Sequence, residues 1–317
     1  MGEIAVALAN WNGMKYLERC LESVFAQTCA PREVVIVDNG STDGSAEWIA
    51  DRYDQVHLLL NETNEGFAAG YNKAIAACSQ PFVLILNTDV FLAPDFIEVT
   101  LAALAEYPEA GAATGSVFQQ GTGEWLNSGF FLRPQMRTEH SANLDRAEAV
   151  FGCSGALILF RREMLEDIRI EGQYFDEAYF SYGEDIDLAW RAQLLGWQAR
   201  FTPGAKALHV GSGSSYERLR FVDKPAFLQR HLLKNRYLTL VKNTSTGVLP
   251  YVLLPFILAE PLVWLYLLLR LPWRFPYLLL ALADTCRHLP TALRWRRQLM
   301  RRQRVSAAYI RQFLRRV

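Results

Sequence analysis

No acidic residue follows Asp284, yet ten arginines lie between Arg287 and the end of the chain. The formal net charge of zero therefore hides an asymmetry, with 23 basic against 33 acidic residues before that tail. A tail of one sign excludes cationic ligands there and suits an anionic surface, phospholipid or nucleic acid. The arginines come without a recognition motif, which argues against nucleic acid. Cysteine is scarce: five, odd in number, widely spaced and without a CxxC pair, so neither a disulfide framework nor a zinc site is suggested. A reducing cytoplasm fits that usage. The opening MGEIAVALANWNG has no basic segment leading a long apolar one and reads as a first strand. Long uncharged runs are missing too. Between Val248 and Ala283, Glu260, Arg270, Arg274 and five prolines leave stretches of 12, 9 and 9 residues. Each falls short of the roughly 20 needed to cross a bilayer.

What is present is a folded composition, 51% hydrophobic and 21% charged over 317 residues. Ile4–Leu8, Glu33–Val37, His57–Leu60 and Phe82–Leu86 read as strands, and helical patterns cover residues 14–27, 46–53 and 67–78. Strands alternating with helices predict βαβ units and a mostly parallel sheet. Each strand runs into a polar, often Gly-rich loop, so the loops gather at one sheet edge, where a nucleotide is expected. From Gly111 to Arg146 the pattern weakens and predicts short strands plus a mobile loop around Arg133–Asp145. FGCSGALILF (151–160) reads as a strand whose small residues allow close approach, and Gln198–Phe201 as another.

Several loop residues carry chemistry, each with a plainer alternative. Asp38 in VDNGSTDGS precedes Gly and Ser residues that turn backbone N–H groups toward an anion, or it closes an Asx turn. In NEGFAAGYN, Gly66 opens a helix and Gly70 suits close packing. Asp89, in LILNTDV, sits at a buried strand's end, where a bare carboxylate is costly unless paired or bound to a cation, although a turn or cap Asp is the alternative. Glu184 and Asp185 open a helix, as the helix dipole favours, or one of them is a general base. His209 is a ligand or a hydrogen-bonded structural histidine.

In order, VDNGSTDGS, NEGFAAGYN, LILNTDV, YGEDIDLAWR and LHVGSGS resemble the family 2 glycosyltransferases of GT-A fold, most closely the bacterial rhamnosyltransferase-like branch, over about Ile4–Ser215. The resemblance implies a Rossmann-like α/β domain, a mostly parallel sheet flanked by helices, over residues 1–225. An apolar, then Arg-rich, helical membrane-associating region follows over 226–317. It implies that Asp38 bonds the donor's base, that Asn64, Gly66, Phe67 and Asn72 form the donor-binding loop and helix, and that Asn87-Thr88-Asp89 is the DxD motif with Asn first. Asn10 joins the donor set; Asp89 and His209 would hold Mg²⁺ or Mn²⁺. Asp185 would be the catalytic base, with Glu184 and Gly155 secondary. The implied reaction is an inverting, metal-dependent transfer of a sugar, L-rhamnose from a dTDP donor ahead of UDP or GDP donors, to a lipid-linked or growing cell-surface glycan.

The place implied is the cytoplasmic face of a bacterial inner membrane, peripheral or monotopic, with re-entrant or interface-lying helices and residues 294–316 on lipid headgroups. A buried helical subdomain or a homo-oligomeric contact competes for the apolar segment. Two other functions compete for the chain. A nucleotidylyltransferase would need a Gly-rich loop with trailing Arg and Lys near the N-terminus, which the sequence lacks. A catalytically weak sugar-nucleotide or glycan-binding module is the other, kept alive by Asn87 and opposed by Asp89, Asp185 and His209 together.

Overall fold

A computed structural model of the chain describes residues 3–127, 129–141, 145–210 and 221–314. The glycines and serines at 211–215, singled out beside His209, lie outside the described residues. Strand β1 (Ile4–Asn10) is buried almost throughout and lacks polar alternation, as a strand covered on both faces must be. Helix α1 (Met14–Phe25) packs Leu17, Cys20, Leu21 and Val24 against it from one stripe. The unit repeats as β2 (Glu33–Asp38), α2 (Ser45–Arg52), β3 (Val56–Leu60), α3 (Gly66–Ala77) and β4 (Phe82–Leu86). Along β1, Ile4, Val6 and Leu8 feed one apolar layer while Ala5 and Ala7 feed the other, so the sheet separates two cores.

Then follow β5 (Val90–Leu92), α4 (Phe96–Glu106), β6 (Ala110–Gln119), β7 (Trp125–Asn127), β8 (Gly129–Arg133), β9 (Arg137–His140), β10 (Glu148–Val150), β11 (Gly152–Cys153), β12 (Leu157–Arg161) and α5 (Arg162–Ile168). A 3₁₀ turn at Glu177–Tyr179 leads to α6 (Glu184–Leu194) and β13 (Gln198–His209). The main sheet runs β10-β13-β6-β12-β4-β1-β2-β3, mostly parallel, with β12 and β10 reversed against their neighbours. Strands β11, β8 and β9 form a second, smaller sheet.

Two expectations need correction here. The weak stretch after Gly111 contains a central ten-residue strand, β6, and 133–145 supplies strand β9 in a hairpin with β8. Residues 142–144 of that stretch lie outside the described residues. Small residues disguise β6 because it is packed too tightly for larger ones: a Cβ on Gly115 would lie 2.1 Å from the Ala205 carbonyl oxygen. Strand β13 does not stop at Phe201 but passes Pro203-Gly204 through a bulge between Thr202 and Lys206 and reaches His209.

The C-terminal region comprises α7 (Ala226–Asn243), α8 (Leu249–Arg270), α9 (Phe275–Arg302) and α10 (Ala307–Arg311). Helix α8 is one continuous element of mean hydropathy 2.2 and 17% buried, long and apolar enough to cross a membrane, whereas interruptions were expected. Glu260 does not break it because Arg236 of α7 pairs with its carboxylate at 2.7 Å and the Tyr237 hydroxyl also bonds it. Helix α9 returns Trp295 and Leu299 to the main core, which Ile310 and Phe313 complete.

Several arginines of 294–314 are paired within the chain, and Arg315 and Arg316 lie outside the described residues. Arg294 forks onto Glu171 (2.6 Å), Arg302 and Arg304 bind Asp167 (3.2 and 2.7 Å), Arg296 donates to the Val241 carbonyl and Arg311 to Tyr251. Arg294 and Arg304 stay exposed while paired, and among the described residues Arg287, Arg297 and Arg301 are exposed too.

A buried ionic cluster ties α7 to α6. Lys242, fully buried, pairs with Asp187 at 2.8 Å and with Asp176, while Asp187 also pairs with Arg191 at 3.0 Å and accepts from Asn243 at 2.7 Å. Burial alone would raise the Asp187 pKa, but Lys242 and Arg191 together hold it below the ordinary carboxylate value. Its contribution to stability is therefore present above the unfolded-state value of about 4 and is lost as pH falls through the lower folded value. Lys242→Met leaves two buried carboxylates, Asp176 and Asp187, with Arg191 as the remaining cation on Asp187, and is expected to cost about 3–5 kcal/mol. Denaturant melts at neutral pH check this; an unchanged midpoint would contradict the role.

Candidate active site

The loops after β1, β2 and β4 lie at the carboxyl ends of parallel strands and meet the start of β12, whose antiparallel register pairs Leu157 with Leu86. They surround a cleft of about 1490 Å³. That exceeds the roughly 300–1,000 Å³ of a usual small-molecule site and leaves room for two substrates. Asn64, Gly66, Phe67, Asn87, Thr88, Asp89, Gly155, Glu184, Asp185 and His209, all expected functional residues, line it together.

The meeting of Asp89 and His209 is a consequence of strand register. The bulged β13 runs antiparallel to β5 with His209 opposite Val90, placing His209 Nε2 3.2 Å from Asp89 Oδ1. Both side chains are nearly buried yet face the cleft. Among the described residues no third His, Cys, Asp or Glu joins them. A two-ligand set of this kind fits Mg²⁺ or Mn²⁺, which take one or two protein oxygens plus phosphate oxygens and water. Asn87 lines the cleft beside Asp89, its side-chain oxygen 3.4 Å from the Tyr71 hydroxyl, which donates to the Leu86 carbonyl at 2.8 Å.

Helix α6 delivers the two acids. It starts after Gly183, at φ +85°, and the preceding Phe180 and Tyr182 hold φ of +62° and +71°. Such backbone is costly without external support. Asn235 of α7 supplies it, its amide donating to the carbonyls of Tyr179, Ser181 and Tyr182 at 2.7–3.0 Å. Asp185 accepts from the backbone N–H of Gly155 (3.0 Å) and of Ile186 (2.8 Å). Burial raises the Asp185 pKa, and those two N–H groups oppose the rise. Glu184 forms no ion pair among the described residues. It is 5% exposed, and its Oε2 has no hydrogen-bond partner among the described residues. Burial, then the Asp185 charge, pushes its pKa well above the carboxylate range. The two environments are thus split, with Asp185 ionising ahead of Glu184.

Gly155 and Gly66 earn their places by close approach. A Cβ on Gly155 would sit 3.2 Å from the Phe67 ring and 3.5 Å from Asp185 Cβ, so its N–H reaches the carboxylate unobstructed. Gly66 has φ +90°, and a Cβ there would meet Phe180 at 2.6 Å. Phe67 packs on Tyr71 with ring planes tilted by 49° and centroids 4.4 Å apart, and walls the cleft beside the acids.

Three expected donor contacts face inward instead. Asn10, fully buried, donates to Asp38 (2.7 Å) and Ser45 (2.8 Å), while Asp38 also accepts from the Ser41 N–H (2.8 Å). Asn72 bonds the backbone of Phe175 in both directions at 2.8 Å. Buried polar groups need such partners, so these side chains fix the loops. The wall positions beside them are Trp11, 56% exposed, and Asn39, whose amide donates to the Gly66 carbonyl. Sequence reasoning missed both, although an exposed aromatic directly after a strand was a usable signal.

Residues 5–169 match the family model described as Glycosyl transferase family 2. A 235-residue stretch is 29% identical to the N-acetylglucosaminyl-diphospho-decaprenol L-rhamnosyltransferase of Mycobacterium tuberculosis, covering 65% of this chain and 75% of that protein. The poly-beta-1,6-N-acetyl-D-glucosamine synthase of Staphylococcus epidermidis is 25% identical over 211 residues, 64% of this chain and 48% of that one. Two solved structures share the fold. GalNAc-T7 with UDP, GalNAc and Mn2+ aligns at TM-score 0.60 and 16% identity over 76% of this chain, about half (48%) of its own length. S. aureus TarS 1-349 in complex with UDP aligns at 0.56 and 17% identity over 93% of this chain and 91% of that chain.

Proposed function

Because the chain belongs to glycosyl transferase family 2, in its rhamnosyltransferase-like branch, we propose that its cleft moves a sugar from a nucleotide donor to a lipid-linked or growing cell-surface glycan, with inversion. The carrying observation is that the Asp89–His209 pair and the Glu184–Asp185 pair line one cleft. L-rhamnose is the specific sugar chosen, supported by the mycobacterial relative's name, with dTDP as the nucleotide to test first.

Trp11 and Asn39 offer a stacking surface and an amide at the end where the base would lie. Asp89 and His209 would hold a divalent cation, which supplies neutralising charge to the leaving diphosphate. Asp185 takes the proton of the acceptor hydroxyl as its oxygen bonds the anomeric carbon and the bond to the nucleoside diphosphate breaks. Gly155 and Ile186 hold the Asp185 carboxylate in place during that transfer. One displacement inverts the anomeric centre. Proton NMR of the newly formed linkage tests this: the opposite anomeric configuration to the donor is expected, and retention would overturn the mechanism.

We further propose that the protein docks on a bilayer without crossing it. Helix α8 exposes Leu254, Leu258, Leu262, Leu265 and Leu269, each 51% or more, a patch far beyond scattered surface leucines. Its other face packs on α7, which carries Arg230 and Arg236, and α9 returns to the catalytic core. Crossing would drag those charged groups into lipid, so an interfacial pose is favoured. Leu258→Glu with Leu265→Glu is expected to move the protein from the membrane to the soluble fraction, since each charge resists burial by about 2–3 kcal/mol. Sedimentation with vesicles reads it; unchanged pelleting would contradict the pose.

A further inference from the structure

The cleft does not end at the transfer site but continues between α7 and α8. Helix α7 lends it Leu228, Leu232 and Leu233, and α8 lends Leu262, Val263 and Tyr266, spacings that put each set on one helix face. The floor is fixed: Leu233 and Leu267 belong to a separate packed cluster with Leu271, Leu278 and Ala281. The rim is open, with Leu262 67% and Tyr266 49% exposed, and merges with the apolar face of α8. Among the described residues, Arg236 is the one charged side chain these two helices bring to the cleft.

We infer that this arm binds the long hydrocarbon chain of the acceptor, a lipid phosphate carrying a sugar, and so admits that substrate sideways from the leaflet. The inference rests on the glycosyl-transfer reading, because whatever fills an arm joined to the transfer site must be attached to a reacting group. The donor's polar partners come from the loops after β1, β2 and β3, which leaves the apolar arm to the acceptor. Apolar helix faces recognise hydrocarbon by area, at about 25 cal/mol per Å² buried. Arg236 keeps Glu260 at 2.7 Å and would turn its remaining guanidinium N–H groups to the adjoining phosphate.

The test uses the full chain in vesicles with two photoactivatable probes, a diazirine-bearing polyprenyl phosphate and a diazirine-bearing diacyl phosphatidic acid. The polyprenyl probe is expected to label peptides covering 228–236 and 259–267, and Val263→Trp, which fills the arm, to cut that labelling about tenfold, the worth of one lost apolar contact. Nucleotide affinity, read by titration with UDP and dTDP, is the fold control for the variant. The map of the parent protein decides the matter even where the variant fails to fold. Labelling elsewhere, labelling indifferent to Val263→Trp in a folded variant, or equal labelling by the phosphatidic acid would each overturn the acceptor arm. Groove labelling in a protein that releases no nucleotide from any donor would keep the arm and discard the transfer reading.

Discussion

Asp89→Ala is expected to reduce turnover at least about 10²-fold while leaving the fold intact, the scale of losing a principal electrostatic stabiliser. The argument is positional. Asp89 ends the β4 loop inside a sheet-edge cleft, and the β5–β13 register sets His209 against it at 3.2 Å. A carboxylate held there, 3% exposed and facing the cleft, stands where the leaving diphosphate would need positive charge. A diphosphate brings the need for that charge and the cation that meets it. Chelation of the parent protein should therefore reproduce the variant, with activity restored by Mg²⁺ or Mn²⁺. Steady-state rates with and without chelator read it, and full activity in excess chelator would contradict the metal assignment.

Asp185→Asn is expected to lower kcat about 10²-fold to 10⁴-fold, the usual worth of a positioned base. The amide preserves the shape but keeps one acceptor oxygen for two backbone donors, Gly155 and Ile186, so a small stability loss accompanies the kinetic one. Donor affinity should persist, since the nucleotide's partners lie on other loops. Glu184→Gln should cost far less, because burial and the Asp185 charge favour the neutral form of Glu184, which the amide resembles. In the parent protein the acid limb of kcat/KM should follow Asp185. Burial raises its pKa, so activity falls as pH drops through a value above the ordinary aspartate range. Near-parent turnover in Asp185→Asn, or donor binding lost in equal measure, would remove the base from the mechanism.

The parallel half of the sheet was legible because strands such as VVIV and FVLIL are buried on both faces and read as apolar runs. Its loops were legible because polar residues there have to follow such runs. Strand β6 was hidden by its alanines and glycines, selected for close packing and not for strand propensity. Continuity of β13 through Pro203-Gly204 was hidden by residues that normally end strands, yet that bulge carries His209 to Asp89. Asn10, Asp38 and Asn72 resemble ligand contacts in sequence, and nothing local reveals that their partners are other parts of the chain. The Lys242–Asp187 pair, 55 positions apart, is likewise invisible without the fold. Helix α8 read as interrupted because Glu260's partner, Arg236, lies on another helix.

The most direct measurement is release of nucleoside diphosphate from a panel of dTDP-, UDP- and GDP-sugars by the purified protein, with and without a membrane lipid extract, in the parent and in Asp185→Asn. The account predicts release from one donor class, dTDP-rhamnose first, dependent on the extract and accompanied by sugar in the lipid fraction, with both lost in the variant. Release from no donor, or release that Asp185→Asn leaves unchanged, would contradict it.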